Sequence, residues 1–562
     1  MAYVITQACC NDASCIAECP VDCIHPTPDE PQFATTEMLY IDPATCIDCG
    51  ACVLECPVDA IVLEDELTEE TRPYLEINAA YYTKYPIEQG RSQPVQKRKA
   101  DFDYSSLRVA IVGAGPAANY AAADLLSHRG VQVNMFDRLP TPYGLIRSGV
   151  APDHPGTKAI ADVFRPMGSM PAFELHLGVE VGEHLSHDEL LGHHHAVIYA
   201  YGASGDRKLG VPGEDLRGSL AATEFVAWYN GHPDYADRKF DLSCERVVII
   251  GNGNVALDVA RILVSNVNDL NKTDIADYAI DALRTSRVRE VVVVGRRGPA
   301  QAAYTNPEFL ALKSLPDVDV VIASKDTELD PHSRRWIESG DAEPSVRIKA
   351  QLAQEIAGLD LKNARKRIVF RYLESPAEII GDETVTGVRL VRNALAAGPD
   401  GALRAEATEE SEILPAGMVL RAIGYRGAPI KDVPFDDERG VVPNVEGRVV
   451  KLETGTPVTG VYATGWIKRG PSGVIGTNKK CASDTVERLL EDFANGLLAA
   501  PAESDQAALV SLVRERQPRS VDFKGWTVID QTERAMGERH NRTRVKFTDV
   551  DSMFAVVRGD RG

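Results

Sequence analysis

The chain has 562 residues, of which 44% are hydrophobic and 25% are charged. This length and ordinary globular composition predict about three or four domains, and no apolar run approaches the roughly 18 residues of a membrane helix. The formal net charge of -21 is concentrated near the start, because fifteen acidic residues precede Arg72, the first basic one. This acidity argues against a nucleic-acid partner and favours docking on a basic protein face.

The beginning of the chain is rich in cysteine, since nine of the eleven cysteines precede Pro57. Four of them complete a CxxCxxCxxxCP motif: Cys46, Cys49, Cys52 and Cys56. Small ferredoxins use this spacing to hold iron–sulfur clusters, with three thiolates on one cluster and the fourth on its neighbour. The motif therefore predicts two clusters. Thiolate ligands suit a reducing compartment and MAYVITQACCND does not have the pattern of a secretory signal, so we expect a cytoplasmic protein.

The two predicted clusters exchange one ligand each. The first is expected to be a [4Fe-4S] cluster on four thiolates: Cys19, Cys46, Cys49 and Cys52. The second takes Cys56 in exchange, together with Cys15 and one of the adjacent residues Cys9 and Cys10. A structural zinc site is the weaker interpretation, because zinc usually separates two CxxC pairs. Cys23 fits no ligand position in either cluster.

The remaining ligand position of the second cluster holds an acid. Counting CxxDxxCxxxCP from Cys9 puts Asp12 there. A carboxylate is a harder and weaker ligand than a thiolate for such iron. We therefore expect either a [3Fe-4S] cluster or a [4Fe-4S] cluster that Asp12 or solvent completes, and the sequence leaves both open.

The sequence falls into three consecutive regions of different composition, which predict the domain organisation. Residues 1–63 form the cysteine-rich module, and residues 64–106 are polar and irregular, which predicts a linker with a basic end near Lys97, Arg98 and Lys99. Beyond it, buried-strand runs such as LRVAIVG, RVVIIG and EVVVVG alternate with helical stretches. This pattern predicts parallel sheets covered by helices, so the fold class is multidomain α+β and α/β.

The first glycine turn of the α/β region predicts a flavin site. A strand leads into Gly113, Gly115 and Ala118 in GxGxxA spacing, an alanine-rich helix follows, and Asp137 ends the next strand. Such a turn presents backbone N–H groups and a helix N-terminus to a pyrophosphate, while the acid accepts from a ribose hydroxyl. We assign this turn to FAD.

The second glycine turn predicts a different nucleotide. Gly251, Gly253 and Ala256 repeat the spacing, but the following strand, EVVVVG, ends in Arg296 and Arg297. Arginines there accommodate a 2′-phosphate, which an acid would repel, so this site should take NADP. The alternative without nucleotide binding is that the two arginines only cap a solvated strand end.

The order of these features predicts an inserted domain. Residues 107–206 should form the first part of the FAD domain, residues 207–424 the NADP domain, and residues 425–562 the second part of the FAD domain, because YATGW and GVIG return late in the chain. The expected architecture is a two-cluster ferredoxin fold followed by two Rossmann-like domains of the glutathione-reductase type.

Longer motifs carry a family resemblance. Residues 2–64, with CCNDASCIAECPVDCI and CIDCGACVLECPVDAI, resemble seven-iron bacterial ferredoxins, in which Cys9 is the matching ligand of its pair. From Leu107 onward the chain is similar to adrenodoxin-reductase-like NADPH:ferredoxin reductases, through LPTPYGLIRSGVAPDHPGTK, GNGNVALDVARIL and YATGWIKRGPSGVIGTNKKCA. The fused order resembles the actinobacterial ferredoxin/ferredoxin-NADP reductase type.

The resemblance implies individual contacts. For FAD it implies Ala117, Asp137, Leu145, Val181, Trp466, Gly473, Val474 and Ile475. For NADP it implies Arg207, Gly251, Asn252, Gly253, Asn254, Val255, Arg296, Arg297, Glu308 and Gly473. It also brings His154 and Glu308 near flavin and nicotinamide, where their expected role is orientation and proton exchange, since hydride transfer itself needs neither acid nor base.

Together these features predict a ferredoxin-NADP reductase with a built-in ferredoxin. NADPH supplies two electrons at once and the clusters take one at a time, so FAD must stand between them. The expected final acceptor is an external ferredoxin-like or cytochrome P450-type protein. The alternative enzyme is the electron-input subunit of a glutamate-synthase-like complex, and a non-enzymatic iron-storage or iron–sulfur carrier protein would need no nicotinamide pocket.

Overall fold

The computed structural model describes residues 2–87, 102–398 and 402–559. Its cysteine module, which we define as residues 2–87, contains β1 (Tyr3–Ile5), α1 (Ser14–Ala17), β2 (Ile24–His25), β3 (Tyr40–Ile41), α2 (Ala51–Leu54), β4 (Ile61–Leu63) and α3 (Tyr74–Lys84). β1 pairs with β4 and β2 with β3, both antiparallel. The predicted basic end near Lys97, Arg98 and Lys99 lies outside the described residues.

The cysteine module is built from two matching halves. Each half runs strand, cysteine loop, short helix and strand, and α1 and α2 occupy equivalent places. The backbone repeats the same left-handed conformations, with φ of 59° at both Asn11 and Asp48, and of 50° and 51° at Asp22 and Asp59. Equal spacing along the sequence makes four pairs of positions equivalent: Cys9 and Cys46, Asp12 and Cys49, Cys15 and Cys52, Cys19 and Cys56. The CxxDxxCxxxCP and CxxCxxCxxxCP loops are thus equivalent halves of one pseudo-symmetric unit.

The expectation of an irregular linker over residues 64–106 is wrong for its first part, because α3 is a regular helix that packs on the module. The Oδ1 atom of Asn78 accepts hydrogen bonds from the backbone N–H groups of Ile5 (3.2 Å) and Ile41 (2.9 Å), one from each half. The hydroxyl of Tyr82 donates to the carbonyl of Tyr40 at 2.6 Å. Apolar residues recur at helical spacing and bury one face of α3, which outweighs the polar flanks of the segment.

The flavin-type domain begins after the module. Its first part contains β5 (Arg108–Val112), α4 (Pro116–Leu126), β6 (Gln132–Asp137), α5 (Leu145–Ser148), α6 (Pro155–Lys158), α7 (Ile160–Phe164), β7 (Phe173–Leu177), α8 (His187–His193) and β8 (Ala196–Tyr199). These strands run parallel in the order β8, β5, β6, β7, and their side chains form a buried core. Parallel strands covered by helices on both faces account for the continuous apolar runs in the sequence.

The middle of the chain forms a second α/β domain. It contains β9 (Gly205–Asp206), β10 (Ser219–Ala221), α9 (Ala222–Tyr229), β11 (Arg246–Ile250), α10 (Asn254–Val264), α11 (Val267–Leu270), α12 (Asp277–Arg284), β12 (Glu290–Gly295), α13 (Asn306–Lys313), β13 (Val318–Ile322), α14 (Pro331–Glu338), α15 (Pro344–Ala357), β14 (Lys366–Tyr372), β15 (Glu374–Gly381), β16 (Val385–Ala397), β17 (Leu403–Pro415), β18 (Met418–Arg421) and β19 (Tyr425–Arg426). A parallel sheet in the order β10-β18-β11-β12-β14-β13 forms its centre, and β15, β16 and β17 make a separate antiparallel sheet. The glycine turn between β11 and α10 lies at the carboxyl edge of the parallel sheet.

The chain then returns to the first domain. The last part contains β20 (Asn444–Val445), β21 (Arg448–Val450), β22 (Pro457–Ala463), α16 (Trp466–Arg469), α17 (Thr477–Ala494), α18 (Gln506–Arg516), α19 (Phe523–Arg539) and α20 (Val550–Arg558). β22 joins the first sheet beside β8 in parallel orientation. The outgoing and returning segments pair with each other as β9 and β19, so both crossings between the two domains run side by side.

The observed architecture is the predicted one: a two-cluster ferredoxin fold, then two dinucleotide-type domains, the second inserted in the first. Within the described residues, no helix has the length and apolarity that crossing a membrane requires.

Candidate redox centre and nucleotide sites

The turn between β5 and α4 has the shape of a pyrophosphate cradle. Gly113 has φ of 105°, and a Cβ atom there would lie 2.7 Å from the carbonyl oxygen of Ala200, so only glycine fits. At Gly115 an added Cβ would meet nothing within 4 Å, which leaves the backbone face open. An open backbone at a helix N-terminus suits a phosphate, so these residues fit the dinucleotide predicted for them.

Asp137 braces this turn from the end of β6. Its Oδ2 atom accepts from the backbone N–H of Ala114 at 2.8 Å and its Oδ1 atom from that of Leu139 at 2.9 Å. Burial raises the pKa of Asp137, and the two amide hydrogen bonds oppose that rise. The predicted acid therefore has a structural task, and each oxygen keeps a lone pair for a ribose hydroxyl.

The return segment packs directly on the cradle. A Cβ atom at Gly465 would lie 2.5 Å from the Cβ of Ala117, and one at Gly144 would lie 3.1 Å from the Cα of Gly115. These contacts bring Leu145 and Trp466, the next residues in each segment, to the same turn as Ala117. The indole of Trp466 donates to the carbonyl of Ser472 at 3.2 Å, and this holds the loop that leads to Gly473, Val474 and Ile475. Val181 packs instead in the buried core with Val112.

The second cradle lies between β11 and α10. Gly251 has φ of 115°, and a Cβ atom there would overlap the carbonyl of Ala422. The Oδ1 atom of Asn254 accepts from the backbone N–H of Thr305 at 2.8 Å, which ties the start of α10 to the loop before α13. Asn252 and Gly253 complete this turn and Val255 lies in the first turn of α10, while their contact with NADP stays a prediction.

Two arginines stand at the end of the neighbouring strand, β12. Arg296 is exposed and Arg297 is half-buried. Burial and then the charge of Arg296 lower the pKa of Arg297. Among the described residues neither guanidinium has a carboxylate partner, so both are available to a phosphate. Arg207 lies on the outgoing crossing, where its backbone N–H donates to the carbonyl of Gly424 at 3.3 Å.

His154 and Glu308 meet between the two dinucleotide domains. The Nε2 atom of His154 lies 3.8 Å from the Oε2 atom of Glu308. Sequence reasoning missed Arg261 of α10, which contacts Glu308 and is 4% exposed. Its guanidinium contacts Asp153 at 2.7 Å, Asp258 at 2.7 Å and Glu308 at 3.3 Å. Arg261 therefore fixes the carboxylates that surround His154.

The predicted cluster ligands lie close enough to interact electrostatically. Cys15 interacts with Cys9, Cys56 and Cys52, and Cys52 interacts with three other cysteines: Cys19, Cys46 and Cys49. Burial raises the pKa of Cys9 to about 11 and that of Cys52 to about 11, which in the absence of iron favours the thiol. The donor sets fit two clusters that exchange one cysteine each. We call the predicted site of Cys9, Cys15 and Cys56 the near cluster site. The predicted site of Cys19, Cys46, Cys49 and Cys52 is the far cluster site.

Cys23 has no ligand position but does have a partner. Its Sγ atom lies 3.3 Å from the Sγ of Cys19, and its backbone N–H donates to the same sulfur at 3.3 Å. The hydrogen bond from Cys23 lowers the pKa of Cys19. In the other half, the N–H of Ala60 donates to the Sγ of Cys56 at 3.2 Å. Each crossing cysteine thus receives backbone support of the kind that tunes cluster ligands.

Asp12 is buried at the near cluster site and faces the reductase. Its carboxylate accepts from the backbone N–H of Ser14 at 3.1 Å and also from the Ser14 hydroxyl. The second oxygen accepts from the hydroxyl of Tyr120 on α4 at 3.3 Å and lies 3.3 Å from the Nζ atom of Lys479 on α17. Both partners belong to the flavin-type domain. Sequence reasoning identified Asp12 as a departure from the motif and missed these partners.

The module docks on the reductase through the loop that contains Asp12. The carbonyl of Cys10 accepts from the backbone N–H of Gly476 at 2.7 Å, and a Cβ atom at Gly476 would overlap the carbonyl of Asn11. Gly476 directly follows the predicted flavin contacts Gly473, Val474 and Ile475. A further acid–base contact joins Glu37 of the module to Lys349 of α15 at 3.0 Å.

Comparison with known proteins agrees with this geometry. The family profile "Pyridine nucleotide-disulphide oxidoreductase" matches residues 107–298, and "4Fe-4S binding domain" matches residues 39–62. A "Probable ferredoxin/ferredoxin--NADP reductase" of Mycobacterium leprae is 48% identical over 100% of this chain and 98% of its own length. The chain belongs to the ferredoxin/ferredoxin-NADP reductase family. It is accordingly an oxidoreductase, and the predicted family resemblance is confirmed.

Relatives without the module match the reductase part. The mitochondrial NADPH:adrenodoxin oxidoreductase of Arabidopsis thaliana is 40% identical over 80% of this chain and 95% of its own length. The solved structure of Mycobacterium tuberculosis FprA in complex with NADPH is 44% identical, with a TM-score of 0.76, and covers 81% of this chain and 100% of its own. These comparisons confirm the fold class, while the individual site residues stay predictions.

Proposed function

We propose that this family member oxidises NADPH at the second cradle and delivers electrons singly, through its own cysteine module, to an external one-electron acceptor protein of the ferredoxin-like or cytochrome P450-type class. FAD in the first cradle would supply the conversion from two-electron to one-electron chemistry, and the iron–sulfur clusters would supply one-electron carriage. The resident groups are FAD, a [4Fe-4S] cluster at the far cluster site and, at the near cluster site, a [3Fe-4S] or Asp12-ligated [4Fe-4S] cluster.

The observation that carries the proposal is the docking of the module. The loop 10–12 sits against Gly476, one residue beyond the predicted flavin contacts, with a 2.7 Å hydrogen bond between Cys10 and Gly476. Cys9, Cys15 and Cys56 gather beside this loop, and Cys49 of the other group is exposed to solvent. The residues therefore support an order in which the near cluster site receives electrons first and the far cluster site passes them out.

The contacts of Asp12 favour the three-iron alternative. Its two carboxylate oxygens already accept from Ser14, Tyr120 and Lys479. Turning the carboxylate toward iron would break the partly buried, charge-assisted contact with Lys479 and leave a buried acid without it, which costs free energy. Three thiolates remain at this site: Cys9, Cys15 and Cys56.

The residues between the two cradles orient the nicotinamide. Arg261 holds Glu308 and Asp153 in place at 3.3 Å and 2.7 Å, so the 3.8 Å contact between His154 Nε2 and Glu308 Oε2 has a fixed geometry. An imidazole held in a fixed position between the two cradles suits orientation of the nicotinamide and exchange of a proton at the flavin edge. The guanidinium groups of Arg296 and Arg297, which follow β12, support binding of the 2′-phosphate there.

Anaerobic titration with NADPH tests the proposal. We expect flavin absorbance to bleach, followed by loss of an oxidised three-iron EPR signal and appearance of a reduced four-iron signal. If flavin bleaches while both cluster signals stay unchanged at equilibrium, the internal relay is wrong. An input subunit of a glutamate-synthase-like complex would instead copurify with a synthase and reduce cytochrome c poorly when isolated.

A further inference from the structure

The two halves of the cysteine module present the same loop to two different surroundings. In the near half, the loop of Cys10, Asn11 and Asp12 is 4%, 0% and 5% exposed because the reductase covers it. Its equivalent in the far half is residues 47–49. There Ile47 is 58% exposed, and the two residues that follow it are exposed as well. One copy of the loop is docked, and the other faces solvent beside a cysteine of the far cluster site.

The docked copy shows what kind of surface the loop binds. A backbone carbonyl of the loop, that of Cys10, accepts from the N–H of Gly476, which stands directly before α17. An acid of the loop, Asp12, pairs with Lys479 in the first turn of the same helix. The loop thus binds a helix N-terminus that carries a lysine, and both groups complement its acceptor atoms.

The exposed copy offers a comparable set of acceptor atoms, with its acid at Asp48, one position before the equivalent of Asp12. Among the described residues nothing donates to the carbonyl of Ile47, the equivalent of Cys10. Asp48 and Glu55 are exposed next to it, and the sequence before Arg72 contains no lysine or arginine. Leu54 on α2 is 88% exposed. Exposed apolar residues in a segment that also carries exposed acids have the composition of a protein-binding surface, with an apolar contact and a charged rim.

We propose that the external acceptor docks on this exposed loop, which we call the exit loop (residues 47–49 with Leu54), and that it is a basic one-electron protein presenting lysine or arginine around an apolar contact. The inference rests on the proposed function and names the partner surface of that relay. The far cluster ligand Cys49 lies in the loop, so a protein docked there stands next to the far cluster site, as the flavin-type domain stands next to the near one.

The charge of the exit loop predicts how docking responds to salt. A net attraction between an acidic loop and a basic partner raises the association rate and weakens as ionic strength grows, since the Debye length falls from roughly 10 Å at 0.1 M to roughly 3 Å at 1 M. The contribution of the apolar residues Ile47 and Leu54 to docking should depend less on salt. These residues should affect the stability of the complex and not the association rate.

The test uses the full chain, NADPH and cytochrome c as a basic one-electron protein. Asp48→Lys reverses the charge of the exit loop, and we expect the KM for cytochrome c to rise roughly tenfold while the rate of ferricyanide reduction stays unchanged. Glu410→Lys makes the same charge change on the exposed strand β17 and should leave the KM as it is. Leu54→Ser should raise the KM for cytochrome c, and the size of this rise should not depend on ionic strength. Leu361→Ser, at an exposed leucine of the inserted domain, should leave the KM unchanged.

Iron content and cluster EPR of each variant show whether the clusters are intact. If Asp48→Lys loses iron, the test relies on Leu54→Ser, which changes no residue next to Cys49. An unchanged KM in Asp48→Lys and Leu54→Ser with intact clusters, or an equal rise in Glu410→Lys, overturns the exit loop. A dimer that dissociates in Leu54→Ser would make the loop a contact between copies of this chain and would also overturn it. Failure of the relay itself has a different signature, since NADPH would then leave the clusters oxidised in every variant.

Discussion

The carboxylate of Asp12 lies 3.3 Å from the ammonium group of Lys479, a residue that stands 467 positions later in the chain. The contact joins the loop of the near cluster site to the helix that begins just after the predicted flavin contacts. Asp12 is buried, whereas the side chain of Lys479 is 43% exposed, so the lysine can be changed without opening a core. This pair holds the module where an electron would cross between the domains.

Replacing Lys479 by methionine should slow that crossing. The variant keeps the length of the side chain and removes the charge that orients Asp12, so the loop loses its fixed position and we expect cluster reduction to slow roughly tenfold. Stopped-flow absorbance after mixing with NADPH measures flavin and cluster bleaching separately, and the flavin phase should be unchanged. The exposed Lys451→Met serves as control, and equal cluster rates in Lys479→Met and wild type would contradict the role of the pair.

Gly476→Ala should undock the loop without straining the helix start. Gly476 has φ of -68° and ψ of -24°, which alanine adopts freely, but the new Cβ would overlap the carbonyl of Asn11. We expect faster hydrogen–deuterium exchange in the segment around Asn11, measured by mass spectrometry. Gly358→Ala is a matched control, since its Cβ would make an ordinary 3.5 Å contact and should leave exchange in the module unchanged.

Asp12→Cys should change the near cluster from a three-iron to a four-iron type. The variant supplies the missing thiolate of CxxCxxCxxxCP, and thiolate is the stronger ligand for this iron. The oxidised three-iron EPR signal should disappear and iron content should rise by one atom per chain. Asp12→Asn adds no thiolate and should keep the three-iron signal; a four-iron spectrum in the wild type would show that Asp12 or solvent already completes the cluster.

Arg296→Ser and Arg297→Ser should weaken the preference for NADPH over NADH. Neither guanidinium has a carboxylate partner among the described residues, so each substitution removes a phosphate contact without freeing a buried acid. We expect the KM for NADPH to rise roughly tenfold for each, with the KM for NADH little changed. Steady-state ferricyanide reduction measures both constants. The exposed Arg365→Ser in the same domain is the control, and a parallel rise for both nucleotides would favour a purely structural role.

Two buried histidines should make the fold sensitive to mild acid. Burial lowers the pKa of both His176 and His194 from 6.5 to about 4, and both rings hydrogen-bond to Asn134. Because the folded pKa is depressed, the stabilisation is present above pH 6.5 and is lost as the pH falls through 4, by up to about 3 kcal/mol for each histidine. Urea unfolding midpoints between these pH values measure the slope. His176→Gln should flatten it, while a change at the exposed His540 should not.

The sequence predicted those features that depend on local spacing. The two glycine turns predicted the tight strand–turn–helix geometry that the structure has, because strand, turn and helix are neighbours along the chain, and the crossed ligand groups stay a prediction from cysteine spacing. The roles of Asp12 and Arg261 could not be read in the same way. Asp12 contacts Lys479 only after the module has packed on the flavin-type domain, and Arg261 is one arginine in an otherwise ordinary amphipathic helix.

The missed helix α3 had a usable signal. Tyr74, Ile77, Tyr81 and Tyr82 recur at the spacing of one helical face and are all buried. Acidic and threonine-rich residues before Tyr74 obscured that pattern. The position of Asn78 on the same face, by contrast, needs the folded module to explain it, since its partners come from two strands far apart in sequence.

The hydrogen bonds of the Asn78 amide determine where the cysteine module can be separated from the rest of the protein. A fragment ending at Leu63 would lack α3, so the N–H groups of Ile5 and Ile41 would lose their common acceptor and the surface that the tyrosines of α3 cover would be exposed. A fragment ending at Ile87 retains this brace. An autonomous miniature electron carrier excised from the enzyme should therefore include the eleven-residue helix that a motif-based truncation would discard.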